Sequence, residues 1–406
     1  MKWDFLRRLF DRQHTKENDW SYSRKYDTPA TTDWGLLGCV LALVIIGLVM
    51  VFSATISLSD SPKYQTTPSH FLIRQFIFAV FGIIAGFITF RVPMRSWQRM
   101  SLFLGIVSIV SLGLVITPGI GREVNGSVRW IPLGPVNIQV SEIVKFAAVI
   151  VAAQFTVSRQ FFMHSVIKGM FPIFTYVIVV AGLLSYQPDL GATAVFCCIV
   201  LGIAVLGGLS MRIIVPIGAM LAVSAVVAII TSPWRMGRVF AYLNPWDAEN
   251  QLGKAYQLTH SLIAFGRGEL FGVGLGASVE KMHYLPEAHT DFILAVIGEE
   301  FGLVGVTVVL LLFYWLIRRA FEIGRMAIRL DQFFSGLVAQ GIGIWIGVQV
   351  IINTGVATGL FPTKGLTLPL VSYGGSSLMI TFCALAMLFR VDYENRQLMY
   401  GRRSRK

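Results

Sequence analysis

Ten stretches of this chain are apolar for long enough to cross a bilayer. They fall at 35–56, 71–90, 101–117, 141–157, 169–185, 190–208, 211–231, 291–317, 334–358 and 374–391. A chain in lipid has no water to satisfy its backbone, so each stretch must close its hydrogen bonds within itself as a helix. The expectation is an all-α polytopic membrane protein of about ten transmembrane helices. Composition agrees, with 55% of residues hydrophobic and only 14% charged. The net charge of +12 would suit a nucleic-acid binder. Its distribution does not, because the bases gather in short inter-helix segments and in the two tails. The four cysteines, Cys39, Cys197, Cys198 and Cys383, lie inside apolar runs and read as packing residues.

The chain divides into a basic tail at 1–34, a ten-helix body at 35–391 and a second basic tail at 392–406. A short amphipathic helix fits near 3–10. A charged N-terminus that runs this long before the first apolar stretch is not a cleavable signal peptide. Orientation follows from the bases. With the N-terminus in the cytoplasm, Arg91, Arg95 and Arg99 fall inside, as do Arg159, Lys168, Arg212, Arg318, Arg319, Arg325 and Arg329. Ten crossings return the C-terminus to the same side. The long connections then lie outside, at 57–70, 118–140, 232–290 and 359–373. The loop at 232–290, between helices seven and eight, is long for a connection without structure of its own. It is expected to fold back on the helices as short interfacial or re-entrant pieces.

Ionisable residues within such a body are costly and mark sites by default. Five places on the outer side carry them. The stretch 284–302, YLPEAHTDFILAVIGEEFG, holds Glu287, His289 and Asp291 where a loop becomes a helix. Asp291 or Thr290 could cap that helix, or Asp291 could belong to a site. NGSVRW at 125–130 supplies Arg129. Glu142 and Lys145 are spaced i and i+3 after Ser141, so they share a helix face as a salt bridge or as a substrate contact. Asp189 ends a tight Gln-Pro-Asp turn, as a cap or as a ligand. The fifth place, 353–377, reads NTGVATGLFPTKGLTLPLVSYGGSS. Its prolines and glycines break any helix. Lys364 lies within it, and Ser372, Gly374 and Ser376 stand at the start of the last helix. A glycine-rich helix start presents N–H groups to an anion. With Lys364, Lys145 and Arg129 on the same side, a bound pyrophosphate is physically reasonable.

These motifs resemble the SEDS family, the shape, elongation, division and sporulation proteins. The 353–377 stretch is similar to that family's signature, and YLPEAHTDFI, GRGELFGVGLG, SEIVKF and QPDLG match it in order and spacing. The similarity covers about residues 34–395. PEAHTDFILAVIGEE and GLFPTKGLTLPLVSYGGSS look like its cell-division branch. The elongation branch tends to carry Arg in place of Ala288 and no Lys at position 364.

The resemblance implies a peptidoglycan glycosyltransferase of the bacterial inner membrane, with both termini cytoplasmic, working at the division septum. It implies lipid II and undecaprenyl-linked glycan as substrates, and a class B penicillin-binding protein and other division proteins as partners. The acceptor 4-hydroxyl must lose a proton as it attacks the anomeric carbon, so one positioned carboxylate suffices as general base. Asp291 is the expected base. Arg129, Lys145 and Lys364 would hold phosphates, and Glu142, Asp189 and Glu287 would orient them or the sugars. The leaving pyrophosphate needs positive charge, helix N-termini or a divalent cation, Mg2+ or Mn2+, and the residues leave that choice open. A lipid II flippase is the competing expectation, and a non-enzymatic division scaffold a third. A transporter needs polar groups near the midplane with access from both sides, whereas here they gather at one face.

Overall fold

The computed structural model describes residues 32–60, 67–124, 127–133, 136–159, 171–251, 253–362 and 365–404. Among the described residues the ten apolar stretches are ten helices. They are α1 (Trp34–Thr55), α2 (His70–Arg91), α4 (Ser101–Ile116), α5 (Val140–Ser158), α6 (Phe171–Tyr186), α7 (Leu190–Leu206), α8 (Met211–Ile230), α12 (Ile293–Arg329), α13 (Phe333–Ala357) and α14 (Gly375–Ser404). A short helix α3 (Met94–Arg99) links α2 to α4. Residues 1–31 of the N-terminal tail, with the amphipathic helix expected near 3–10, lie outside the described residues, as does Lys364, whereas the C-terminal tail continues α14 as far as Ser404.

α13 runs through the middle of the body. It packs against α12, α7, α5 and α14 and is buried along most of its length. Its small residues let neighbouring backbones approach closely, the usual basis of helix packing in lipid. The outer helices show the opposite pattern. Phe76 is 57% exposed on α2 and Leu102 is 75% exposed on α4. Bands of this kind are lipid-facing surface in a membrane protein.

Three features go beyond the apolar pattern. The loop at 118–140 contains a three-stranded antiparallel sheet, β1 (Arg122–Val124), β2 (Ser127–Leu133) and β3 (Val136–Gln139), in that order. Trp130 faces Gln139 and Ile131 faces Ile138 across β2 and β3. β3 then runs directly into α5. The loop at 232–290 folds back as short helices, α9 (Pro233–Leu243), α10 (Ala248–Gln251) and α11 (Tyr256–Gly268). Tyr242 Oη donates to Leu360 O at 2.7 Å and Ser261 Oγ to Ala357 O at 2.7 Å, which fixes these pieces to the end of α13.

The third feature is a break in α12 at Gly302, with φ 65° and ψ −162°. Residues 269–274 lie along the break. Leu303 N donates to Glu269 O and Val304 N to Leu270 O, while Val273 N and Gly274 N donate to Glu299 O and Glu300 O. The carbonyls and amides freed by the break are thereby satisfied, as they must be at membrane depth. A Cβ on Gly302 would come within 2.5 Å of Gly272 N and Leu270 O, so the two chains meet backbone to backbone.

Candidate active site

The expected polar residues gather at one end of the bundle, where α5, α7, α12 and α14 begin and α13 ends. Asp291 lies in the turn just before α12, which opens at Ile293 with no side-chain cap. The capping reading of Asp291 and Thr290 therefore does not hold. Thr290 Oγ1 donates instead to Glu287 Oε2 at 2.9 Å. Glu287 adopts a left-handed φ of 57° and accepts from Thr290 N and Phe292 N. The Asp291 backbone is held from α13, where Asn353 Nδ2 donates to Asp291 O at 2.9 Å and to Leu366 O at 2.6 Å. Ser372 Oγ donates to Thr290 O, and Tyr373 N to His289 O at 2.9 Å. Two segments far apart in sequence are thus stitched side by side. A Cβ on Gly365 would stand 2.9 Å from Asp291 Oδ2, so the lack of a side chain there gives the carboxylate its place.

Electrostatics make Asp291 unusual. Burial raises its pKa from the ordinary carboxylate value to about 7. The negative charges of Glu287 and Asp189 push the same way, and Arg129 opposes them. Arg129, from the central strand, donates through Nη2 to Pro188 O at 3.0 Å, with Nε 3.7 Å from Asp189 Oδ2. Asp189 also caps α7, its Oδ1 accepting from Ala192 N at 3.2 Å. The capping reading of Asp189 is realised, and its other carboxylate oxygen faces Arg129. Burial lowers the pKa of His289, and Glu287 partly offsets this. Its ring packs on Phe71 and Tyr373. Asp291 is therefore a carboxyl that titrates near neutrality within the field of the Arg129 guanidinium, the state a general base needs.

Glu142 and Lys145 lie one layer deeper on α5. Lys145 Nζ donates to Glu142 Oε1 at 2.8 Å and to Gln349 Oε1 at 3.1 Å, and is only 1% exposed. The i, i+3 ion pair is present. Glu142 Oε2 and Ser141 Oγ find no hydrogen-bond partner among the described residues. Gln349 ties this layer to the first, since its Nε2 donates to Thr367 O at 2.8 Å and Trp345 Nε1 donates to its Oε1 at 2.8 Å. Trp345, Gln349 and Asn353 are spaced by four on α13 and form one polar stripe from Lys145 to Asp291.

The residues before the last helix are engaged locally. α14 opens at Gly375. Leu368 N donates to Ser372 Oγ at 2.8 Å. Gln75 of α2 donates to Ser372 O at 3.1 Å and receives Gly374 N at 3.4 Å. Ser376 Oγ accepts from Gln139 N at 3.2 Å, which joins α14 to β3. Gln75, Gln349, Asn353 and Gly365 are the residues that motif reading left without a role. The amides had a signal, since a glutamine or asparagine within an apolar helix costs free energy unless it is bonded. Among the described residues no group of three or more His, Cys, Asp or Glu is placed to hold a metal ion.

Comparison with known proteins places the chain in a family. The model of the Cell cycle protein family, which unites FtsW, RodA and SpoVE, matches residues 33–397. A protein of Polynucleobacter necessarius named probable peptidoglycan glycosyltransferase FtsW is 54% identical over 90% of this chain and 87% of its own length. A Burkholderia thailandensis protein of the same name is also 54% identical, over 91% of this chain and 80% of its own. Among solved structures, one reported as the structural coordination of polymerization and crosslinking by a peptidoglycan synthase complex contains a chain similar to this one. The TM-score is 0.72 at 28% identity, over 91% of this chain and 99% of that one. The ten-helix body is that of a SEDS protein, and the chain belongs to the FtsW, RodA and SpoVE family of cell cycle proteins.

Proposed function

We propose that the chain is a peptidoglycan glycosyltransferase that polymerises lipid II into glycan strands during cell division. The observation that carries the reading is Asp291, a carboxylate with a pKa of about 7 set against Arg129 and Asp189. The acceptor 4-hydroxyl attacks the anomeric carbon of the lipid-linked donor. Asp291 takes its proton as the new C–O bond forms. The bond from the anomeric carbon to the pyrophosphate oxygen breaks, and undecaprenyl pyrophosphate leaves. The donor linkage is alpha and the product beta, so a single inverting displacement is enough, with the base on the face opposite the leaving group. Arg129 offers its charge to the departing pyrophosphate. Lys145, shared between Glu142 and Gln349, and Lys364 add to the positive set. Glu287 and Asp189 orient sugar hydroxyls or the arginine. Ser372, Gly374 and Ser376 serve by holding the walls of the site. A divalent cation, Mg2+ or Mn2+, would share the charge of the pyrophosphate, and among the described residues no group of three His, Cys, Asp or Glu forms a cage for it.

The same reading gives the chain an inner-membrane location at the septum, both termini in the cytoplasm, and a class B penicillin-binding protein as crosslinking partner. What supports the partner is the likeness to a chain of a peptidoglycan synthase complex. The gathering of the polar residues at one end of the helices favours transfer at a surface over lipid transport across the midplane. Glycan synthesis by Asp291→Asn, measured with lipid II and the penicillin-binding partner at matched expression, tests the assignment. The amide keeps the shape and removes the base, so turnover falls by roughly 10²-fold or more. Near-normal polymerisation would move the base to Asp189 or Glu142.

A further inference from the structure

The turn that carries Asp291 is anchored ten residues upstream by charges that the reaction does not use. Glu299 and Glu300, adjacent in sequence, lie just before the break in α12 and are 0% and 1% exposed. They point at different targets. Glu299 Oε1 accepts from Val279 N at 2.9 Å and from Arg267 Nη1 at 3.2 Å, and its Oε2 accepts from Ser278 Oγ and Glu280 N. Glu300 Oε1 accepts from Lys281 Nζ at 2.6 Å and from Ser53 Oγ of α1 at 2.6 Å. Lys281 Nζ also donates to Ser53 Oγ at 2.8 Å, and Ser57 Oγ donates to Lys281 O at 2.7 Å. Residues 278–281 are therefore fixed to α1 and to the first half of α12. At the other end, Ser372, Tyr373 and Asn353 hold residues 289–291. Only residues 282–288 lie between the two anchors.

Ions in this setting need a reason. A buried ion pair contributes little net stability, because desolvation offsets the attraction, although breaking it by removing one partner is expensive. We propose that Lys281 and Glu300 are positioning residues for Asp291: the pair locks the 278–291 segment to α1 and α12 and so sets where the carboxylate stands. This rests on the reading of Asp291 as the base. The charges that bear on Asp291 are Glu287, Arg129 and Asp189, from its own turn, from β2 and from the start of α7. Lys281 and Glu300 are not among them, so they act on Asp291 by place and burial rather than by field. Loosening the anchor admits water to the carboxylate, and its acid limb moves down in pH.

The test compares Glu300→Gln, Lys281→Met and the double variant Lys281→Met/Glu300→Gln, assayed in the full chain with lipid II and the penicillin-binding partner. The double variant is decisive because it leaves no unpaired buried charge and so recovers the stability that either single change loses. A positioning pair leaves the double variant with turnover about 10-fold down, KM for lipid II within about 2-fold of the unaltered protein, and the acid limb displaced downward. Hydrogen exchange across 278–291 is then faster, a readout that stands whether or not Asp291 is the base. Asp291→Asn assayed alongside separates failure of that reading from failure of this one. A double variant with normal turnover, pH profile and exchange would make the pair merely structural and overturn the proposal. So would a double variant that fails to fold and insert, since the pair would then hold the fold and not the turn.

Discussion

Asp291 brings the site to a single ionisation. Its carboxyl is protonated below about pH 7, held there by burial and by the charges of Glu287 and Asp189. The protonated acid cannot accept the acceptor's proton, so kcat/KM is lost as pH falls through about 7 and is restored above it. Glu287→Gln removes one of the charges that raise this pKa, so the acid limb of the pH–rate profile shifts downward while the base survives. An unmoved limb in that variant would detach Glu287 from the titration. The glycine opposite is as constrained as the acid. In Gly365→Ala the new methyl stands 2.9 Å from Asp291 Oδ2, and the carboxylate must move by a few tenths of an ångström. Turnover is expected to fall by roughly 10-fold, with thermal unfolding nearly unchanged, because a small misplacement of a base is costly to the reaction and cheap to the fold. Asp291, Asp189, Arg129 and Glu287 were legible in the sequence because charge amid apolar residues is rare and expensive. Gly365 was not, because its role is to leave space for a side chain 74 positions away, and no local pattern encodes that.

α13 shows how one helix organises the others. Its stripe of Trp345, Gln349 and Asn353 lies four residues apart and reaches from the Lys145 layer to the Asp291 turn. Gln349→Leu deprives Lys145 and Trp345 Nε1 of an acceptor and Thr367 O of a donor. Each buried group left unsatisfied costs about 1–3 kcal/mol. The variant is expected to unfold at lower temperature in detergent and to lose turnover together, whereas Gly365→Ala loses turnover alone. Fluorescence-detected unfolding and a polymerisation assay on both proteins read that difference. The helices themselves were plain from hydrophobic runs, with ends close to those observed. The lengths of α12 and α14 were not, since their polar distal halves continue past the apolar stretch as far as Arg329 and Ser404. The sheet at 122–139 was hidden for another reason. Its strands are short, and the loop that holds them reads first as a connection between two spans, although Val128, Trp130 and Ile131 are strand formers. Pairings that fix Arg129 beside Asp189 are long-range and leave no trace in either segment alone.

Across the whole molecule the charge is divided between the two ends. The site end is a balanced cluster of acids and bases. At the other end Arg319 pairs with Asp33 at the start of α1 and with Glu322, and Arg396 pairs with Asp392 at 2.7 Å. Arg91 and Arg159 close α2 and α5 at that same end. An excess of bases on one side marks the cytoplasmic face, where anionic lipid also attracts them. The protein is therefore expected to sit with its site in the periplasm and Arg318 in the cytoplasm. Ser278 would be a natural reporter in the long loop, but it is buried against Glu299 and closed to reagents. Glu249, exposed on α10 of the same loop, serves instead. In a background where Cys39, Cys197, Cys198 and Cys383 are replaced, Glu249→Cys should react with a membrane-impermeant maleimide once the outer membrane is opened. Arg318→Cys, 62% exposed in its side chain at the other end of α12, should react only after the inner membrane is breached. The reverse pattern would place Asp291 in the cytoplasm. A glycan strand made there would form on the wrong side of the membrane from the wall it builds, so that single labelling result bears on the proposed reaction as well as on the topology.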